Sequence, residues 1–248
     1  MAEPGPVYQW IADDLMRRID EGLLKPESPI PSRSRLKEAY RASDQTVDRA
    51  VRVLKAAGYV EGQFGRGVFV VDRSARATLD RGTGAVDSPF ATRVVGDTAE
   101  VDWEASTVTT TAPPAIAERL GIATGDPVVM TRYEYLANRR PVQLATSWEP
   151  LAITDGTDVA HPERGPYARR GVRGRLAAIG VRVVRAREIL ESRPATGWEA
   201  QALGCAHGQC VTAVQRTYFD ADDRAVETSD TVIRADRWRV AYSIDFSS

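Results

Sequence analysis

Eight basic side chains lie between Ser32 and Arg66: Arg33, Arg35, Lys37, Arg41, Arg49, Arg52, Lys55 and Arg66. Only Glu38, Asp44, Asp48 and Glu61 oppose them, which leaves a local charge of +4 in a chain whose formal net charge is −1. Cations grouped in this way suit phosphate oxygens, and Ser43, Gln45 and Thr46 among them suit the donor and acceptor pattern of base edges. So modest a field favours a few placed contacts over general adhesion to polyanions, because non-specific affinity scales with the number of phosphates neutralised.

Other chemistries find less support. Cys205-Ala206-His207-Gly208-Gln209-Cys210 offers three soft ligands, but a structural zinc site takes four, and His161 is the only other histidine. Two cysteines make no disulfide framework, which fits a reducing compartment. A nucleophilic triad would have to use one of those two histidines, and neither sits in a recognisable motif. The glycine-rich run Gly62 to Gly67 is followed by no lysine-serine or lysine-threonine pair and opens no helix, so it is not a phosphate loop. No metal site and no cofactor are expected.

The basic cluster needs a scaffold, and the first 71 residues spell one. Tyr8, Ile11, Ala12, Leu15 and Ile19 recur at helical spacing up to Gly22. After a turn carrying Pro26, Pro29 and Pro31, Ser32 can cap a short helix containing Leu36, Ala39 and Tyr40. Ser43 can cap a third, in which Val47, Ala50, Val51 and Leu54 face inward and Asp44, Gln45, Asp48, Arg49, Arg52 and Lys55 outward, until Gly58 stops it. Tyr59 to Glu61 and Val68 to Val71 then read as a two-stranded hairpin around the glycine tip. Three helices and a hairpin make a winged helix-turn-helix, whose third helix would enter the major groove while Arg66, beside Gly67, enters the minor groove. Asp44 has two readings: it accepts from a cytosine amino group, or it is simply a charge favoured by the helix N-terminus.

Residues 74–89 are polar and hold Gly82, Gly84 and Ser88, so they read as a linker between a domain at 1–73 and another at 90–248. Within the second domain Glu100 to Thr111 alternates as a strand, and Pro113 to Gly121 reads as a short helix. A weak internal repeat follows: Leu120-Gly121, Gly125, Val128, Arg132, Val142 and Gln143 correspond to Leu203-Gly204, Gly208, Val211, Arg216, Val226 and Glu227. Each copy reads helix, strand, turn, strand, with turns at Ala137 to Arg140 and Ala221 to Arg224. Arg169 to Ile179 between them is a helix and Arg182 to Ser192 a strand, giving an α+β domain built on an antiparallel sheet. The repeat also places the cysteine hexapeptide at a helix-to-strand turn, where a buried cysteine serves as a small apolar residue.

The whole chain has 248 residues, 43% of them hydrophobic, with no apolar run near the roughly 20 residues of a membrane span and no signal-peptide pattern at its start. A cytoplasmic protein without a membrane partner is expected.

Tyr8 to Ala12, Gly22 to Pro26, Ile30-Pro31-Ser32, Ser43 to Arg49, Leu54 to Val60 and Gly65 to Val70 together resemble the DNA-binding domain of the GntR family of bacterial regulators, in order and spacing. Leu120-Gly121, Arg132 to Tyr135, Leu176 to Glu188, Arg216-Thr217-Tyr218 and Glu227 to Trp238 resemble the UTRA effector domain, which marks the HutC subfamily. The resemblance implies a chorismate lyase-like fold for the second domain, a homodimer, a small-molecule and often anionic effector, and double-stranded operator DNA as partner. It assigns DNA contacts to Arg33, Arg35, Ser43, Gln45, Thr46, Arg49, Arg52, Arg66 and Gly67, and effector contacts to Arg132, Glu134, Gln143, Glu227 and Ile233. Where sugar-phosphate-binding relatives carry a second arginine this chain has Glu134, and a frequent tyrosine is Ile233, so a sugar phosphate is not the expected effector. Arg132, Glu134 and Glu227 read equally as cross-strand charge pairs on a solvated sheet. Two alternatives remain: a lyase-like enzyme using Arg132, Glu227 and Asp230, and a plasmid transfer repressor of the Kor type, which the first domain also resembles.

Overall fold

Ile11, Ala12 and Leu15 are completely buried, and they meet Val47, Ala50 and Leu54, so two amphipathic helices share one apolar seam at the base of the structure's first unit. The computed structural model describes residues 6–63, 66–72, 77–81, 101–137, 140–168 and 170–242. They group into two compact units, Met1–Arg76 with Pro194–Val211, and Ala77–Arg193 with Thr212–Ser248.

In the first unit α1 (Val7–Asp20), α2 (Arg33–Tyr40) and α3 (Asp44–Ala56) enclose this core, to which α2 contributes Leu36. Both expected caps form. Ser32 Oγ accepts from the Arg35 amide at 3.4 Å and Ser43 Oγ from the Thr46 amide at 3.2 Å, satisfying donors that a helix start leaves open. The hairpin is β1 (Val60–Gln63) with β2 (Gly67–Val70), paired antiparallel from Val60↔Val70 to Gln63↔Gly67. Phe64 and Gly65 of the expected tip lie outside the described residues. The proline-rich stretch read as a turn does more than turn. Ile30 donates to the Val68 carbonyl at 3.0 Å and Val70 donates to that of Ser28 at 2.9 Å, so Ser28 to Ile30 borders the wing as an edge segment. Pro29 and Pro31 are tolerated there because an outer strand needs few of its own donors.

The second unit is organised by a six-stranded sheet. Its elements are β3 (Ala77–Asp80), β4 (Val101–Thr111), α4 (Pro114–Leu120), β5 (Pro127–Ala137), β6 (Arg140–Pro150), the single turn α5 (Leu151–Thr154), α6 (Gly171–Ala177) and β7 (Val183–Pro194). Beyond α7 (Gly197–Ala202), which groups with the first unit, come β8 (Cys210–Asp220), β9 (Ala225–Arg234) and β10 (Trp238–Ala241). The sheet order is β4-β5-β6-β9-β8-β7. The internal repeat is therefore visible as architecture: α4-β5-β6 and α7-β8-β9 are its copies, and their second strands meet antiparallel at the sheet centre. Ile116, Ala117 and Leu120 of α4 pack with Val128 and Trp148 against one face.

Several local expectations need correction. Residues 77–80, inside the stretch read as a linker, form β3 and pair in parallel with β10, Trp238 opposite Ala77; the remainder of 74–89, apart from Arg81, lies outside the described residues. Strands of four residues are too short to show alternation, so the sequence carried no sign of this pair. Asn138, Arg139 and Arg169 also lie outside. The second hairpin turn forms as expected, with Asp223 at φ 59° and the Asp220 carboxylate accepting from the Asp222 and Arg224 amides at 3.0 and 2.9 Å. The cysteine hexapeptide does lie at a helix-to-strand turn, but Cys205 is only half-buried and Cys210 is exposed, so neither serves as a buried apolar residue.

Leu54 is wholly enclosed between α1 and α3. Leu54→Ala should cost about 2–5 kcal/mol, read as a lower denaturant midpoint of the first unit's transition with an unchanged fold of the second.

Candidate functional site

On α3 the outward stripe carries Gln45, Arg49 and Arg52, all exposed, with Thr46 half-buried beside them. Arg66 and Gly67 stand exposed on the hairpin. Gly67 has φ 116°, which L side chains rarely adopt and which lets the hairpin turn sharply behind Arg66. Ser43 keeps its hydroxyl on the Thr46 amide and hydroxyl, the latter at 2.9 Å, so its first role is to hold the start of α3.

Tertiary contacts modify the basic cluster. The Arg33 guanidinium reaches Asp48 at 2.5 Å, and the Lys37 ammonium reaches Asp44 at 2.7 Å. Arg33 and Lys37 are one helical turn apart on α2, as are Asp44 and Asp48 on α3, so the two helices are laced by a double ion pair. The hydrogen bond from Lys37 holds the Asp44 carboxyl below its ordinary range. Asp44 is thus an ion-pair partner as well as a first-turn charge. Arg49 lies with its guanidinium carbon 4.0 Å from the centre of the Tyr8 ring, and that of Arg66 5.2 Å from the centre of the Phe69 ring, so both cations rest on aromatic faces. Tyr8 and Lys37 were not among the DNA contacts expected from sequence, where Tyr8 was read as part of the apolar spacing and Lys37 only as one of the basic side chains. The matching helical-turn spacing on α2 and α3 was the signal that could have found Lys37.

In the second unit, strand alternation divides the five residues expected at an effector. Gln143 is opposite both Tyr135 and Ile233, whereas Arg132 is opposite Ser106 and Thr146, and Glu134 opposite Glu104 and Leu144. Successive side chains leave a strand on opposite faces, so Arg132 and Glu134 point away from Gln143 and Ile233. Glu227 shares the face of Ile233, six residues further along β9. The structure therefore brings Gln143, Glu227 and Ile233 to one buried face and leaves Arg132 and Glu134 on the other. The three residues of the enzyme alternative do not converge either: Asp230, opposite Thr146, belongs to the row of Arg132, and its carboxylate accepts from Arg119 at 2.6 Å. A separate cavity of about 740 Å³, bordered by Leu120, Ile122, Ile153, Val181 and Phe219, includes none of the five.

The face of Glu227 is polar and buried. Thr131, Gln143, Ser147, Glu149, Glu227 and Thr231 are each at most 7% exposed. Burial first, and then the neighbouring Glu149 charge, push the Glu227 carboxyl up to about 7, against the opposing effects of Ser147, Arg216 and Ser229. Burial also raises Glu149, although Arg175 donates to it. Glu188 goes the other way. Its burial is outweighed by Arg81, whose Nε donates at 3.1 Å, and by Arg216 and the Tyr242 hydroxyl, which bring it to about 2. Gln143 Oε1 and Nε2, Glu149 Oε2, Glu227 Oε2 and Arg81 Nη1 are buried without hydrogen-bond partners. Sequence reading missed Glu149, Arg175, Glu188 and Arg81, because nothing in their local spacing announces burial. Among the described residues there is no group of three or more histidine, cysteine, aspartate or glutamate side chains placed to hold a metal ion, and no helix long and apolar enough to cross a membrane.

Two family models match this chain: that of the bacterial regulatory proteins of the gntR family over residues 7–70, and that of the UTRA domain over residues 100–239. The HTH-type transcriptional repressor NagR of Bacillus subtilis (strain 168) is 26% identical over 242 residues, spanning 98% of this chain and 96% of its own. The crystal structure of a GntR-family transcriptional regulator is 39% identical, covers 98% of each chain and superposes with a TM-score of 0.68. That of PhnF from Mycobacterium smegmatis, 20% identical over 96% of this chain and 100% of its own, shares the fold with a TM-score of 0.60. The chain belongs to the GntR family of bacterial transcriptional regulators, with a UTRA domain behind its DNA-binding domain in the arrangement of the HutC subfamily.

Two outcomes follow from this geometry. Asp48→Ala releases Arg33 from an exposed ion pair, so stability should change by less than about 1 kcal/mol while non-specific DNA affinity rises and its logarithmic salt slope steepens by up to about one; fluorescence anisotropy on random duplex at graded salt reads both. The Glu227 carboxyl keeps its proton to about 7 when folded but titrates near 4.5 when unfolded, so it costs stability as pH rises between these values. Glu149, Tyr133, Arg216 and Tyr218 interact with it in wild type and remain in the variant, so Glu227→Gln isolates its effect. Wild type should lose about 2 kcal/mol, or at least about 4 °C in Tm, relative to Glu227→Gln between pH 4.5 and 8.

Proposed function

We propose that this regulator is a repressor that binds a pseudo-palindromic operator as a homodimer and leaves it when a small molecule occupies the polar face of its UTRA domain. The observation that carries the reading is the exposed stripe of Gln45, Arg49 and Arg52 on a capped α3, with Arg66 on the adjoining hairpin. Gln45, Thr46 and Arg49 read base edges in the major groove, Arg35 and Arg52 fix register on phosphates, and Arg66 beside Gly67 enters the minor groove. Arg33 joins them when DNA draws it from Asp48, and Ser43 acts by capping α3. Residues 1–73 form the DNA-binding domain and 90–248 the effector domain, which β3 of the connecting stretch joins by pairing with β10.

The repressor sign is supported by the relative from Bacillus subtilis, which is named as one. Dimerisation through the effector domain is supported by β7, an edge strand that leaves Val184, Ile189 and Leu190 at least 43% exposed. Glu227, Gln143 and Ile233 contact the effector; Arg132 and Glu134, on the opposite face, do not. The domain senses and does not catalyse, because the sheet parts Glu227 from Arg132 and Asp230. Ligand and operator weaken each other reciprocally, since one pair of states is biased by both. The protein acts on DNA in the cytoplasm and has no membrane partner.

The test is a gel shift on the gene's own promoter fragment at two salt concentrations. Wild type should give a discrete complex that Arg49→Ala and Arg66→Ala each weaken at least tenfold, with more loss at higher salt. A diffuse smear insensitive to both substitutions would remove the operator reading.

A further inference from the structure

The chemistry of the polar face points to a class of effector, on the reading that this face is the effector site. Trp103 is opposite Tyr135 and Ala105 opposite Tyr133, so the three rings share the face of Gln143 and Ile233. Trp103 meets Tyr133 edge-on at 5.6 Å between centroids, and Tyr133 stacks with Tyr135 at 5.8 Å. Along the same face follows a row of short hydroxyl side chains, Thr107, Thr131, Ser147 and Ser229, in register across four strands. This hydroxyl row separates the aromatic rows from the row that holds Glu149.

Beyond the hydroxyl row come carboxylates. Glu149 and Glu227 are 2% and 1% exposed, each has one oxygen without a hydrogen-bond partner, and an incoming cation would take the place of the proton that Glu227 holds in the free protein. Glu163 accepts from the Thr107 hydroxyl at 2.5 Å, which brings a third acid to the row. The guanidinium groups in the vicinity are already engaged: Arg175 with Glu149, and Arg81 and Arg216 with Glu188, although Arg81 Nη1 keeps one unused donor. A phosphate or carboxylate ligand would lie against acids whose cations are committed elsewhere. A ligand bearing N–H donors and positive charge meets open acceptors on one side and ring faces on the other, the pairing that stabilises organic cations.

We propose that the effector is a small organic amine or guanidine, held by its cation between the Trp103 and Tyr133 rings and the Glu149 and Glu227 carboxylates. The strand that presents Tyr133 and Tyr135 inward puts no arginine on this face, and that strand choice sets the preference for a cation over an anion.

Calorimetry of the full chain with putrescine, with agmatine and with glucose 6-phosphate tests this, using wild type, Glu227→Gln and Tyr133→Leu. Glutamine reproduces the shape of a protonated glutamate, so Glu227→Gln keeps the fold. At least one of the two amines should bind wild type, at least tenfold more weakly in each variant, and should weaken the operator complex in a gel shift; glucose 6-phosphate should give no heat. Binding of glucose 6-phosphate alone, reduced by Tyr133→Leu, would overturn the cation class and leave the effector site standing. An amine that binds all three proteins equally would place the ligand elsewhere and sink both readings. Silence from both amines would overturn the proposal.

Discussion

Much of the second unit follows from one register. Gln143 opposite Ile233, continuing to Trp148 opposite Thr228, is where the two copies of an internal repeat meet, and it aligns Thr146 of one with Asp230 of the other. Because side chains alternate with a period of two, sliding that pairing by one residue would exchange every inward residue for its neighbour. Glu149, Gln143 and Ser147 would then leave the buried face and Thr146 and Trp148 would enter it. The core and the polar site thus depend on the same alignment, and one cannot be altered while the other is kept.

That dependence explains why the site tolerates so much buried charge. An isolated buried ion is strongly disfavoured, and the sheet avoids that state by pairing Arg175 with Glu149 and by placing Glu188 between Arg81 and Arg216. Glu227 has only two serines and distant charge to compensate it, and it responds by holding its proton. The opposing behaviour of Glu188 and Glu227 comes from the number of cations each carboxylate can reach.

The exposed charged face of α2 and α3 shows a second use of paired charge. Asp44 and Asp48 would repel phosphates if they stood alone, yet each is matched by a cation from α2. The pairs are exposed and contribute little to stability; their effect is to withhold two cations from indiscriminate contact. Arg49, resting on Tyr8, is a further cation of this face that the fold engages. A surface so restrained gains selectivity at the expense of general affinity, in keeping with the small net charge of the window.

The sequence by itself determined the elements of the first unit, because each is announced locally: a 3.6-residue apolar period, a serine cap, a glycine stop. It also determined the repeat, and with it the helix-strand-turn-strand order of the second unit. Tertiary structure alone decided which residues share a face. Arg132 and Glu227 look equivalent as charged strand residues, and Tyr133 no more inward than Arg132, until β5, β6 and β9 are laid in register. Pairs such as Arg81 with Glu188, or Arg33 with Asp48, join positions that are distant in sequence and carry no mutual signal. The physical reason is that a strand's period says that its faces differ, while which face is buried is set by partners that only the folded chain brings alongside.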